Sequence, residues 1–255
     1  GKSRCGLRRG YWTDHWSYGL DLIEDFLRIW PEREQELMQM ELPWYRPQAQ
    51  ILPREKRYSV SGGELRQYHF LEETPGEKWC RDGAENLVKA TLLEKLVCMC
   101  AMKFAALDAW GCGIEMEGGR PGWYDALNGL PALFGSSVTE AMELVRHLRF
   151  LKVSLRRYGG KVSLPGPHYM LLMRLKQSVE DIPEYTGNTV LVDFWNSSKS
   201  ALEHCREEVY TQGAWDYADC QAEQLAEMLD TWANFLGQRL ALCRGENGVM
   251  PTYCR

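Results

Sequence analysis

Asp125 and Trp123 stand two positions apart in residues 118–131, a stretch that holds four glycines and two prolines. Apolar and aromatic surroundings disfavour the ionised form of a carboxyl group and raise its pKa. A carboxylic acid that keeps its proton near neutral pH can deliver it to the leaving oxygen of a glycosidic bond. The neighbouring Trp123 offers a flat face to a sugar ring. On these residues alone a structural interpretation is favoured, in which Asp125 caps a short turn and Trp123 belongs to the core.

A second group of the same kind lies near the beginning of the chain. Arg9, Trp12 and Asp14 fall within a few residues of one another, ahead of a helical pattern. Carboxylate and guanidinium groups make strong, directional hydrogen bonds, so this group suits the neighbouring hydroxyls of a sugar. The alternative is that Asp14 caps the helix that follows.

Several other classes of function are disfavoured. The net charge is −5 and the basic residues are scattered, whereas a nucleic-acid surface needs a concentrated basic face. The apolar run 96–107 is too short to span a membrane. We find no phosphate-binding glycine loop and no serine nucleophile elbow.

The histidines and cysteines show no metal-ligand spacing, so we expect no metal site. The nine cysteines include no CxxC pair. We expect them to be mostly reduced, buried and apolar in character, in a reducing and therefore cytoplasmic compartment. Structural roles are expected for the remaining histidines, which are His69, His147, His168 and His204.

The elements that position these residues are mainly helices. Apolar residues recurring at intervals of three and four predict them, over residues 17–30, 84–109, 138–158, 167–180, 188–210 and 218–244. Residues 56–60 and 64–71, joined by Ser61-Gly-Gly63, predict a hairpin, the one β element expected. The long helix 84–109 is apolar nearly all round in its second half, which predicts an inner helix of a two-layered helical barrel. This pattern is typical of an all-α fold with function in its loops.

Four segments together resemble one family, the cellobiose-phosphorylase-like inverting glycoside phosphorylases. Residues 123–128 resemble its Trp-Asn-Asp-Gly-Met-Asn motif, and residues 134–138 its Gly-Glu-Ser-Val helix entrance. Residues 9–15 are similar to its Arg-Tyr-Ser-Asp-Asp segment, and Thr91-Leu-Leu-Glu94 lies where the family has Thr-Leu-Tyr-Glu. The four occur in the family's order, and their residues most resemble those of the long oligoglucan and β-1,3-glucan phosphorylases.

The resemblance implies a fold and a reaction. The fold is an (α/α)6 barrel with one small β-hairpin insertion, and residues 1–255 would be the first part of this catalytic domain within a longer chain. The reaction is phosphorolysis of a β-linked glucan or oligoglucan, with inversion, to α-glucose 1-phosphate. Inorganic phosphate is the nucleophile and co-substrate, and no cofactor is implied. Family members are often dimers, so a homodimer is also expected.

The resemblance also implies a role for each matching residue. Asp125 matches the general acid, Trp123 the aromatic residue of the sugar subsite, and Asp14 a carboxylate that holds sugar hydroxyls. The adjoining residues expected to bind substrate are Arg9, Trp12 and Tyr124. The sequence departs from the family by placing Tyr124 where the family has Asn and His15 where it has one of two Asp residues. The family's phosphate-binding His and Ser/Thr loop are not found within residues 1–255.

Two alternatives therefore remain open. The chain could be a non-catalytic structural or carbohydrate-binding subunit derived from this barrel. It could also be an inverting glycoside hydrolase, which needs a second carboxylate as base, a role that Asp14 could fill.

Overall fold

The computed structural model describes residues 15–46, 49–67, 71–74, 76–115, 135–183, 190–211 and 216–254. This part of the chain is largely helical, as the sequence predicts, with short strands between the helices. The helices are α1 (His15–Ile29), α2 (Glu34–Met38), α3 (Leu92–Ala105), α4 (Val138–Tyr158), α5 (Gly166–Glu180), α6 (Val192–Thr211) and α7 (Ala222–Leu242). No described helix combines the length and the apolar content that crossing a membrane requires.

Local signals explain where the helices begin and end. Thr91 and Glu94 form a reciprocal capping box at the start of α3. At the start of α4, the Ser137 hydroxyl accepts the backbone N–H of Glu140 at 3.2 Å. Gly159 ends α4 at a φ of 64°, a conformation that glycine adopts without strain.

Strand pairing makes two helices begin later than the sequence predicts. The predicted helix 84–109 begins only at Leu92, because residues 89–91 form a strand that pairs with residues 41–43. The predicted helix 218–244 begins at Ala222, because residues 217–221 pair with residues 161–165. In both cases a strand distant in sequence supplies hydrogen bonds that replace the first turns of a helix.

The strands form small antiparallel sheets. They are β1 (Glu41–Pro43), β2 (Ala49–Ile51), β3 (Tyr58–Ser61), β4 (Glu64–Gln67), β5 (Leu71–Glu73), β6 (Lys89–Thr91), β7 (Ile114–Glu115), β8 (Ser136–Ser137), β9 (Lys161–Pro165), β10 (Tyr217–Gln221) and β11 (Tyr253–Cys254). The predicted hairpin is confirmed as β3 and β4. The expectation that it would be the one β element is wrong, since the pairs β1–β6, β2–β5 and β9–β10 and the three-stranded sheet β11–β8–β7 are also present.

Helix α3 lies at the centre of the core and contacts α4, α5 and α6. Its buried residues face several directions, as its apolar sequence predicts: Leu93, Leu96, Val97, Cys98, Cys100, Ala101, Phe104 and Ala105. The Phe104 ring stacks on that of Trp232 from α7, with 4.4 Å between the ring centroids. These contacts join the helices into one core.

Helices α4 and α7 run antiparallel, because both of their ends are joined by strands. At one end β9 directly follows α4 and pairs with β10, which directly precedes α7. At the other end β8 directly precedes α4 and pairs with β11, which follows α7. The two ends lie about 30 Å apart, the length of a helix of this size. The second end carries the candidate site.

Candidate functional site

The six residues that the sequence selects for chemistry lie outside the described residues. The described chain begins at residue 15 and is interrupted between residues 115 and 135. The residues concerned are Arg9, Trp12, Asp14, Trp123, Tyr124 and Asp125. Their roles stay predictions, and the structure gives the positions from which both segments depart.

The interrupted segment leaves and re-enters the fold at one place. β7 pairs antiparallel with β8, and Glu115 lies opposite Ser136. Residues 106–115 and 135–137, here called the loop base, therefore hold the two ends of segment 116–134 side by side. The start of α6 lies next to them, since the backbone N–H of Leu191 donates to the carbonyl oxygen of Ala109 at 2.7 Å.

Asp108 organises the loop base. One oxygen of its buried carboxylate accepts the backbone N–H groups of Trp110 and Cys112, both at 3.0 Å. The other accepts the hydroxyl of Ser136, which joins the two strands of the loop base. Gly113 makes this contact possible, because a Cβ there would lie 2.8 Å from that of Ser136. A buried carboxylate with several donors fixes local geometry strongly.

The end of α7 is attached to the loop base by Arg239 and by a disulfide. The buried Arg239 guanidinium donates to the carbonyl oxygen of Trp110 at 2.7 Å. Burial lowers the pKa of Arg239, and the charge of Asp108 opposes that shift. Cys112 and Cys243 form a disulfide across 131 positions of sequence. This pair departs from the expectation of reduced cysteines and was not predictable, because the spacing of cysteines does not reveal connectivity.

The free cysteines that the structure describes agree with the expectation of reduced, buried thiols. These are Cys80, Cys98, Cys100, Cys205 and Cys220. Burial raises the pKa of the Cys205 thiol to about 12, and it raises that of Cys100 further. Thiols in such surroundings hold their protons and are poor nucleophiles.

Glu115 connects the loop base to α6. One of its carboxylate oxygens accepts the indole N–H of Trp195 at 2.6 Å, and the other lies 2.8 Å from the ammonium of Lys199. The Lys199 side chain is 3% exposed and that of Glu115 is 33% exposed. The Trp195 hydrogen bond therefore orients one oxygen, and the Lys199 charge, one turn further along α6, lies near the other without a hydrogen bond.

Glu140 makes a similar arrangement at the start of α4. Its buried carboxylate accepts the indole N–H of Trp16 at 3.0 Å, and the ammonium of Lys103 lies 3.0 Å from the same oxygen. Lys103 also lies over the Trp16 ring, 4.9 Å from its centroid. Since Trp16 follows the first sequence motif and Glu140 follows the second, the departure points of both motif segments meet here.

The described histidines have structural environments. His147 packs 4.7 Å from the Trp16 ring, and its Nδ1 donates to the carbonyl oxygen of Glu143 at 2.8 Å. Burial lowers the pKa of His147, and it lowers that of His168 to about 4. His204 is exposed and lies 3.1 Å from Glu208. Within the described ranges, no group of three or more His, Cys, Asp or Glu side chains is placed to hold a metal ion.

Two surface grooves lie outside the loop base. One, of about 730 Å³, follows the second half of α6 beside residues 50–56. The other, of about 780 Å³, lies between α1, α4 and α7. Neither is lined by Asp108, Glu115 or Glu140.

Sequence reasoning did not find the polar residues that surround the two departure points. These residues are Asp108, Glu115, Glu140, Lys103 and Lys199, and the contacts that join them to other elements are distant in sequence. One local signal was the four-residue spacing of Trp195 and Lys199, which places both on one helix face but does not identify a partner.

Comparison of the sequence with models of known protein families gives no match, and comparison with curated proteins gives none either.

Proposed function

We propose that this chain carries part of the catalytic domain of an inverting glycoside phosphorylase. Its substrates are a β-linked glucan or oligoglucan and inorganic phosphate, and its product is α-glucose 1-phosphate. The sequence landmarks between residues 9 and 138 support the proposal. The observation that carries it is the hydrogen bond between Trp16 and Glu140, because it brings together the departure points of the two segments that would supply the site.

The chemistry proposed for the site needs one acid. Asp125 donates its proton to the oxygen of the leaving sugar, while phosphate attacks the anomeric carbon from the opposite face and inverts it. No carboxylate base is needed, since phosphate is itself the nucleophile. Trp123 lines the sugar subsite, and Asp14 binds hydroxyl groups. The further substrate-binding residues of this proposal are Arg9, Trp12 and Tyr124.

The proposed architecture is the first part of an (α/α)6 barrel, completed by the remainder of a longer chain, in a protein that forms a homodimer. A central α3 with α4, α5 and α6 packed against it is compatible with an inner helix of such a barrel. The Thr91–Glu94 landmark adds less support than the two loop motifs. Its residues form a capping box, so helix initiation explains them without reference to function.

The compartment proposed is the cytoplasm. Five buried free thiols are compatible with a reducing environment, whereas the disulfide is of the kind that persists in oxidising ones. Alkylation of the protein as it is isolated, in denaturant and without a reductant, followed by mass spectrometry, decides between the two. Cys112 and Cys243 carrying the label would support the cytoplasm.

A carbohydrate-binding subunit without turnover is the second candidate. It is favoured by the surroundings of three histidines: His147 and His168 are buried, and His204 lies 3.1 Å from Glu208. None of these three has the setting of the family's phosphate-binding histidine. This candidate predicts that the protein binds gluco-oligosaccharides and leaves them intact.

The experiment compares the full-length protein with its Asp125→Asn variant. Each is incubated with β-1,3- or β-1,4-gluco-oligosaccharides and inorganic phosphate, and glucose 1-phosphate is measured. We expect phosphate-dependent glucose 1-phosphate release, lowered about 10²- to 10⁴-fold in the variant, the range for loss of a general acid. Equal rates in the two proteins would overturn the role of Asp125. Release of glucose independent of phosphate would identify a hydrolase instead.

A further inference from the structure

Helices α4 and α7 leave an open groove of about 780 Å³ beside α1. Much of its lining is apolar, and Met142 and Val153 on α4 are 49% and 45% exposed there. Gly237 and Ala241 line it on α7, and their small side chains allow another backbone to approach closely. An apolar groove between two helices fits the apolar face of a third helix.

Two arginines stand at the edge of this groove without a carboxylate. Arg149 on α4 and Arg244 after α7 are exposed, and neither forms an ion pair within the described part of the chain. Arg146 in the same groove differs, since Asp21 and Glu24 of α1 lie 2.7 and 2.6 Å from its guanidinium. An occupant with exposed acidic side chains would therefore complement the charge of the first two arginines.

Helix α1 combines these properties on its outer face. Leu22 and Ile29 are 72% and 66% exposed, and they lie two turns apart on one face of the helix. Asp25 stands between them, and its ion pair with Arg28 is exposed and therefore weak. The outer face of α1 is thus an apolar stripe with a carboxylate, and it is open to solvent in a single copy of the chain.

We propose that α1 of one copy packs into the α4–α7 groove of a second copy, in a two-fold symmetric pair. The stripe and the groove are neighbours, because Glu24 of α1 lines the groove, so a two-fold axis can bring each stripe to the other groove. Leu22 and Ile29 then cover the apolar groove, and Asp25 approaches the arginines at its edge. This inference rests on the homodimer of the proposed function and not on the phosphorylase reaction.

The first experiment asks which surface α1 touches. Full-length protein with photoreactive benzoylphenylalanine in place of Leu22 is mixed with isotopically heavy wild-type protein and irradiated. A cross-link between copies then joins a light peptide to a heavy one, whereas a link within one copy joins two light peptides. We expect light–heavy cross-links from position 22 to residues 142–153 or 237–244.

The second experiment measures the dissociation constant of the pair by analytical ultracentrifugation. Leu22→Glu places a charge in the stripe and Val153→Glu places one in the groove, and both positions are exposed in a single copy. Each should raise the dissociation constant about 30-fold or more, the effect of a central interface residue. Val60→Glu is the matched control, since Val60 is 73% exposed on the β3–β4 hairpin, and it should leave the constant within about twofold.

Mixing the two variants tests the contact of stripe with groove directly. A pair made of one Leu22→Glu copy and one Val153→Glu copy keeps one intact stripe facing one intact groove. The mixture should therefore associate more tightly than either variant alone. A mixture no tighter than its components overturns the stripe-to-groove contact.

A protein that stays monomeric up to about 1 mM overturns both the surface and the proposed homodimer. A dimer that forms only light–light cross-links, or light–heavy links to other residues, overturns the surface alone. The same holds for a dissociation constant unchanged by Leu22→Glu and Val153→Glu, or raised equally by Val60→Glu. None of these measurements uses glucose 1-phosphate, so failure of the phosphorylase reaction is distinguished from failure of the interface.

Discussion

The indole N–H of Trp16 donates to the Glu140 carboxylate at 3.0 Å, although 124 positions of sequence separate the two residues. Trp16 stands at the beginning of α1 and Glu140 in the first turn of α4. Lys103 from the end of α3 completes the arrangement. Three helices are thereby joined at the end of the fold where both sequence motifs depart.

We expect Glu140→Gln to destabilise the protein by about 2–4 kcal/mol. The amide can still accept from Trp16, but the half-buried Lys103 loses the charge that compensates it. Trp16→Phe should cost about 1.5–3 kcal/mol, the range for a hydrogen bond to a charged group. Urea unfolding of each variant measures these values.

Trp30→Phe serves as the control for the tryptophan change, because Trp30 is exposed at the end of α1. Trp30→Phe should change the free energy of unfolding by no more than about 0.5 kcal/mol. A Trp16→Phe variant as stable as Trp30→Phe would contradict the importance of the Trp16–Glu140 bond.

Gly113→Ala should destabilise the protein by about 1–3 kcal/mol, the typical cost of overpacking. The new Cβ would lie 2.8 Å from the Cβ of Ser136 and 3.0 Å from a carboxylate oxygen of Asp108. Gly237→Ala, the same change inside α7, meets no atom within 4 Å and should stabilise by about 0.5–1 kcal/mol. Opposite shifts of the thermal midpoint are the expected result, and a stabilising Gly113→Ala would refute the close contact.

Reduction of the Cys112–Cys243 disulfide should lower the thermal midpoint. The bond joins residues 131 positions apart. By restricting the unfolded chain, a cross-link over a loop of that size raises the free energy of unfolding by up to about 5 kcal/mol. Thermal unfolding with and without dithiothreitol measures the effect. The double variant Cys112→Ser/Cys243→Ser should have the thermal midpoint of the reduced protein, and dithiothreitol should not change that midpoint. A wild-type midpoint insensitive to dithiothreitol would argue against the disulfide.

His168 should make the protein less stable in mild acid. Burial lowers its pKa to about 4, whereas an unfolded histidine titrates near 6.5. The unfolded state therefore binds the proton first, and the stabilising contribution, complete above about pH 6.5, is lost as the pH falls towards 4. The expected loss between pH 7 and pH 5 is about 2 kcal/mol.

The comparison for His168 is the pH dependence of urea unfolding in the wild type and in His168→Gln. The variant lacks the titrating ring, so its stability should fall less between pH 7 and pH 5. Parallel curves for the two proteins would show that protonation of His168 does not contribute.

Local patterns in the sequence were sufficient for elements whose partners are close in the chain. The β3–β4 hairpin follows from Ser61-Gly-Gly63, and α4 lies between its capping residues Ser137 and Gly159. These features depend on backbone preferences and hydrogen bonds within a few residues. A single sequence contains all the information that they need.

Only the tertiary structure decided which distant groups meet. Residues 89–91 carry a helical pattern, yet they form β6 because β1, almost fifty positions earlier, supplies its hydrogen bonds. Burial of α3 was predictable from its apolar residues, but the ion pairs Glu115–Lys199 and Glu140–Lys103 were not. The physical reason is that the residues next to a charged side chain in sequence do not indicate its partner. The packing of the helices determines which opposite charge lies near it. The sequence by itself was sufficient to predict the helical scaffold and to suggest a hypothesis for its chemistry. The packing determined which charges lie where residues 1–14 and 116–134 join the described fold.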